Sequence, residues 1–314
     1  MTQDAARRRP PAWPALAYES WADTCDTLHA HAQVLGKLAA ALAPPEPQLQ
    51  HAALRLTPRG WETAPLPAPD RSGAFVVTLD LRTHECAVDH SDGRVARVPL
   101  TPNRPVGEVT REVLAVLDEL VGSVRISTLP QEVSWSVPLD EDAEHRTYDP
   151  QQVATYFSCA TRAAQVLTAL RAPYRGRSTP VNAWWGSFDL AVSLFSGRGA
   201  DPGSADFIRR NSANAQQVEV GWWPGDARHP RAAFFGYAFP APDSFANGDL
   251  GAPAGGWSSE LGEYLLEWDD VIAADDPFDV ALRFGRSVVS YACVVCDWDP
   301  RLAASAQGDP PPVS

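Results

Sequence analysis

Asp26, His29, Gln33 and Lys37 follow one another at three- and four-residue spacing, so on a helix they share one face. An imidazole, an amide and an ammonium in a row could hold a polar or anionic ligand, with His29 moving a proton. The plain alternative is a solvated helix face. His29 and His31 cannot both reach one metal ion, because helical residues two apart point roughly 200° from each other. His51 is the better partner for His29, but a third ligand is not visible and no metal is assigned.

A second candidate lies in Val181–Arg198, VNAWWGSFDLAVSLFSGR. It reads as a long strand bent at Gly186, with Ser187 and Asp189 on one face. A carboxylate in so apolar a run must be paired or keep its proton. Asp189 is therefore a candidate general acid or base, or an anchor for Arg59 or Arg198; a structural ion pair is the plain alternative. Ser187 lacks the Gly-x-Ser-x-Gly spacing of a nucleophile elbow. Trp184-Trp185 and Trp222-Trp223 each put one ring on either side of a strand, so one of each pair could wall a pocket. Glu263 could add a polar group to its rim. Cys293 and Cys296 have CxxC spacing but fall late in an apolar helix, away from the N-terminal dipole that activates redox thiols, and read as core. Walker, dinucleotide-binding, HExxH and EF-hand patterns are missing, and no cofactor is assigned.

The elements that must position these residues follow from periodicity. Apolar residues at three- and four-residue spacing predict helices over 18–42, 106–121, 149–170 and from Asp276-Pro277 onward. Gly122 sits where a C-terminal cap belongs, and Asp149-Pro150 supplies an N-cap with a first-turn proline. Strands are expected at 53–57, 74–81, 85–90, 94–100, 124–128, 217–222, 232–239 and 263–268, with Ser91-Asp92-Gly93 as a hairpin turn. Each half then reads helix, antiparallel strands, helix. The expected fold class is α+β, built as a pseudo-duplication in one domain or two closely packed similar ones: an N-terminal half over 13–146, a C-terminal half over 147–302, and disordered Pro-rich tails at 1–12 and 303–314; two unrelated α+β domains are the alternative. The acidic run Asp140-Glu141-Asp142 reads as exposed connector.

With 314 residues, 45% of them hydrophobic, the chain can bury a substantial core. A net charge of −13 argues against nucleic acid and against anionic membrane surfaces. Five scattered cysteines suit a reducing compartment, the N-terminus does not read as a signal peptide, and no apolar run is long enough to span a bilayer. A cytoplasmic setting is expected, with a small molecule as partner and a protein partner as the alternative.

The runs TLHAHAQVLGK, WWGSFDLAVSLFSGR, GWWPG, FGYAFPAPDSF and SSELGEYLLEWDDV, with the connector DEDAEHRTYDP, resemble a bacterial domain-of-unknown-function family, number 5996, over nearly the whole chain. The resemblance implies a shared fold and a cytosolic setting, and supplies no reaction. It also marks His29, Gln33, Gly36 and Lys37 as fitting the family run. The chain departs from the family pattern at Asn182 (His there), Ala215-Gln216 (His-Glu), Leu194 (Arg) and 47–51, PQLQH (Asn-His-Trp-Trp-His). If those groups form a site in relatives, it is altered here.

The reading these residues support is a small-molecule-binding protein, with a site between the two halves. Gln33, Lys37, His51, Arg59, Trp185, Ser187, Arg198 and Glu263 would line it, and His29 and Asp189 would move protons if it catalyses, in hydrolysis or isomerisation rather than redox. The rival is a non-catalytic interaction module that has lost the family's site residues.

Overall fold

The computed structural model describes residues 12–251 and 255–307. The N-terminal half runs α1 (Ala22–Leu42), a 3-10 segment (Pro47–Ala52), β1 (Arg55–Leu56), β2 (Gly60–Glu62), β3 (Leu66–Pro67), β4 (Ala74–Asp80), β5 (Glu85–His90), β6 (Val95–Pro99) and α2 (Val106–Val121). The C-terminal half runs α3 (Pro150–Arg171), β7 (Asn182–Trp184), β8 (Asp189–Gly199), α4 (Phe207–Ser212), β9 (Ala215–Trp223), β10 (Ala233–Phe239), β11 (Gly256–Ser258), β12 (Glu263–Glu267), α5 (Trp268–Ala273), α6 (Pro277–Val295) and α7 (Pro300–Ala306). The fold is α+β, as expected.

Each half holds one antiparallel sheet. The first has the order β1-β2-β4-β5-β6 with β3 also on β4, and the second the order β11-β12-β10-β9-β8-β7. The sheets meet edge to edge: Leu54 and Ala183 exchange backbone hydrogen bonds of 2.9 and 3.0 Å, an antiparallel bridge beside β1 and β7. Helices α1 and α2 cover the first sheet, and α3 and α6 cover one face of the second. Close approach at the second contact needs glycine. A Cβ on Gly236 of β10 would lie 2.7 Å from a methyl of Val288 in α6. The core is continuous from Leu28 and Leu35 of α1 to Phe284 and Val288 of α6. The two halves share an element order, but their strands differ in length, and the order alone does not demonstrate a duplication.

Several expectations need correction. Val181–Arg198 is not one bent strand but a hairpin, in which Trp184 pairs with Asp189 and the chain turns through Trp185–Phe188. The stretch 124–128 forms no strand. Residues 303–306 belong to α7, where Ser305 and Ala306 are buried, because Asp299 caps that helix through the Arg301 amide. The remainder of the expected tails, 1–11 and 308–314, lies outside the described residues. Asp142 of the acidic connector is buried, accepting hydrogen bonds from the backbone of Glu144 and His145 and pairing with the His145 ring at 2.7 Å. Among the described residues no helix is long and apolar enough to cross a membrane.

Candidate ligand cavity

Alternation along the second sheet separates its two faces. On β9, Val218, Val220 and Trp222 point into the helix-covered core, whereas Gln217, Glu219 and Trp223 face the other way. With Asp189 and Ser193 of β8, Phe235 and Tyr237 of β10 and Glu263 of β12, they floor a cavity of about 800 Å³. The 3-10 segment of the N-terminal half forms one wall through Gln48, Leu49 and Gln50, and α4 forms another through Ile208 and Arg209.

That wall is tied to the C-terminal half by side chains. Gln48 accepts from Arg177 at 2.7 Å and donates to Asn214, while Asn182 donates to Gln50 at 2.9 Å. Gln48 and Leu49 hold left-handed backbone (φ 54° and 55°), a conformation that costs a non-glycine residue roughly 1–2 kcal/mol. Gln48, Gln50 and Asn182 thus form one hydrogen-bonded group, of which Gln48 and Gln50 line the cavity. Leu194 is buried in the core, and Gln216 bonds to Ser196 at 3.0 Å.

The cavity is acidic. The Ser187 hydroxyl donates to Asp189 Oδ1, but Asp189 Oδ2 is buried with no hydrogen-bond partner. Burial pushes the Asp189 carboxyl well above the usual range, the Ser187 hydrogen bond opposes this, and the charges of Glu219, Glu132 and Glu263 add to the rise. Glu219 accepts from Ser193 at 2.6 Å and from Tyr237 at 3.0 Å; burial raises its pKa and these two bonds hold it back. Glu263 is pushed up to about 7 by burial and by Glu219, with Arg228 acting against them. Among the described residues none of Asp189, Glu219 and Glu263 stands in an ion pair, whereas Asp226 at the rim is paired with Arg228 at 2.7 Å.

Of the residues singled out from sequence, Trp184, Trp185, Ser187, Asp189, Trp223 and Glu263 come together here. His29, Gln33, Lys37, His51, Arg59 and Arg198 do not line the cavity. His29, buried on α1, donates from Nε2 to the carbonyls of Trp185 (2.9 Å) and Gly186 (3.0 Å), and burial lowers its pKa to about 4. It is a neutral post under the hairpin turn, not a proton carrier at the cavity. The Gln33 amide exchanges two hydrogen bonds with the backbone of Gln131 (2.8 and 2.9 Å), and Lys37 reaches Gln131 Oε1 at 3.4 Å and lies over the Trp185 ring. The polar face of α1 is therefore closed by the connector, neither solvated nor concave. His51 accepts the Glu46 amide through Nδ1 and does not meet His29. Among the described residues no group of three or more His, Cys, Asp or Glu could hold a metal ion.

The two arginines expected to hold an anion are occupied elsewhere. Arg59 pairs with Asp80 at 2.8 Å and Asp89 at 3.5 Å on the first sheet. Arg198 donates to the carbonyls of Cys296 and Asp297. Sequence reasoning missed Glu219 and Tyr237, although their alternation with Val218, Val220 and Phe234 carried the signal.

The family of unknown function DUF5996 matches residues 13–305. The chain belongs to that family. No curated protein and no solved structure matches it. The match takes in every element of both sheets, so in this DUF5996 chain the whole cavity lies within the family region.

Proposed function

We propose that this DUF5996 protein binds a small organic cation bearing an amine, in the cavity on the open face of its C-terminal sheet. One observation carries the reading: a buried carboxyl group, Asp189, lines an aromatic cavity with one oxygen unpartnered. A buried carboxyl oxygen without a partner costs roughly 1–3 kcal/mol, and an ammonium is the group that would relieve it. Trp223, Phe235 and Tyr237 offer ring faces that attract cations and apolar bodies alike. The uncompensated acids disfavour the anionic ligand expected from sequence. The rival reading, a protein-docking module, has less to stand on: the exposed large apolar residues among those described, Val95, Leu129, Phe207 and Val294, come from β6, the connector after α2, α4 and α6.

Benzylamine, benzyl alcohol and benzoate share a body and differ in charge. Tryptophan fluorescence, reported from Trp184 and Trp223, should show benzylamine binding alone, and Asp189→Asn should weaken it at least tenfold, the worth of one charge-assisted hydrogen bond. Benzoate binding as tightly as benzylamine would sink the proposal.

A further inference from the structure

The carboxyls of the cavity are not gathered at one point. On β8, Asp189 and Ser193 are four residues apart, which separates their Cα atoms by roughly 13 Å. Ser193 is the register partner of Glu219 on β9, and its hydroxyl bonds to that carboxylate. Glu219 in turn accepts the Tyr237 hydroxyl, and Glu263 precedes Tyr264, the register partner of Gly236, which sets it beside Tyr237. One pole therefore holds Asp189, and the other holds Glu219 and Glu263. Glu132 joins the first pole: a Cβ on Gly186 would lie 2.0 Å from its carboxylate oxygen.

The floor between the poles is apolar. Ala191 and Gly221 face each other across β8 and β9, and the Phe235 ring lies on Gly221, where a Cβ would sit 2.2 Å from the ring edge. Trp223 meets Phe235 edge to face at 5.7 Å, and Tyr237 lies nearly parallel to it at 6.4 Å. Ala191, Trp223, Phe235 and Leu265 form an apolar cluster of their own, separate from the main core. Read across the sheet, the surface is carboxylate, hydrocarbon and ring, then carboxylates.

We infer that the ligand is a linear polyamine, with one ammonium at Asp189, another at Glu219 and Glu263, and the methylene chain between them over Phe235. The inference rests on the reading of the cavity as an amine site and names its ligand class. A chain of ammonium groups joined by methylenes repeats the order of the floor. A monoamine could satisfy only one pole and would leave the other acids as they are. Linking two binding ends also makes the second contact intramolecular, which multiplies affinity without new chemistry.

Calorimetry on the full chain, in about 0.15 M salt to screen the overall negative charge, should compare spermidine with n-butylamine. Spermidine is expected to bind with one-to-one stoichiometry, at least thirtyfold tighter than butylamine (about 2 kcal/mol). Asp189→Asn and Glu219→Gln are each expected to bring spermidine down to near the butylamine value. Both are isosteric and take away an acid that the bound ammonium would hold ionised, and Glu263→Gln, at a half-buried position, reports on the second pole if Glu219→Gln fails to fold. Spermidine binding no tighter than butylamine overturns the polyamine assignment and leaves the amine site standing. Binding by many equivalents that survives all three substitutions is condensation on an acidic surface and also overturns it. Failure of both amines to bind removes the amine site itself.

Discussion

The Trp185 ring fills the place a side chain would take at Gly36: a Cβ there would lie 1.9 Å from Trp185 Cγ. This contact joins α1 to the hairpin turn that carries Ser187 and leads into Asp189. The same turn is held from below by His29 and by Phe188, whose ring stacks on His29 (4.8 Å), Trp61 (4.9 Å) and Tyr156 (5.3 Å). Those stacks hold Phe188 at φ 61°, a left-handed conformation foreign to a bulky residue. The N-terminal half thus shapes the cavity mainly by fixing a turn of the other half.

Gly36→Ala should expel the indole, since neither the helix backbone nor a ring bonded through Nε1 to the Ala52 carbonyl at 3.0 Å can give way cheaply. Overpacking of this kind costs typically 1–3 kcal/mol. Urea unfolding should show that loss, and benzylamine affinity should fall with it although Gly36 does not line the cavity. An unchanged urea midpoint would mean that the indole has room to move.

Acid should destabilise the fold through two histidines. Burial holds both His29 and His31 down to about 4, so both stay neutral in the fold while the unfolded chain takes up protons near 6.5. Their contribution is complete above that value and is lost as pH falls toward 4. Going from pH 7.5 to 5 should cost roughly 2 kcal/mol per histidine. His31 faces Val34, Leu79, Val109 and Val113, so His31→Leu should fold and should lose about 2 kcal/mol less than the parent over that interval. Equal losses in urea titrations at the two pH values would contradict the burial argument.

Local signals in the sequence were good guides to the frame. The helix expected at 106–121 is α2 to the residue, because Val109, Val113 and Leu117 recur at helical spacing up to Gly122. Asp149 and Asp276 cap α3 and α6 through their side chains, and Trp222 and Trp223 divide between core and cavity. What failed to show locally was held by distant partners. The turn at 185–188 has no Asn-Gly or Asp-Gly signature, and its geometry is set by His29 some 156 residues away. Gln33 and Lys37 look like solvent-facing residues until Gln131, 98 residues downstream of Gln33, is laid over them. Arg59 and Arg198 read as free anion partners because nothing in their neighbourhoods reveals Asp80 and the end of α6. A site whose polarity depends on which charges remain unpaired is legible only after the pairing is known.

Amine binding should strengthen with rising pH. Burial and the charge of Glu219 raise Glu263 to about 7, so at pH 6 its carboxyl is mostly protonated and at pH 8 mostly ionised. A group raised in this way stabilises the empty fold at low pH and withdraws that support as pH climbs through 7. An ammonium recovers it, because it prefers the carboxylate and displaces the proton. Affinity for an amine should therefore rise about tenfold between pH 6 and 8, the change in the ionised fraction of one such acid. The displaced proton should appear as a binding enthalpy that differs between phosphate and Tris buffers at pH 7, and Glu263→Gln should reduce both effects, leaving what Asp189 contributes. Identical affinity at the two pH values, with no dependence on buffer, would show that Glu263 binds no ammonium or titrates in its ordinary range.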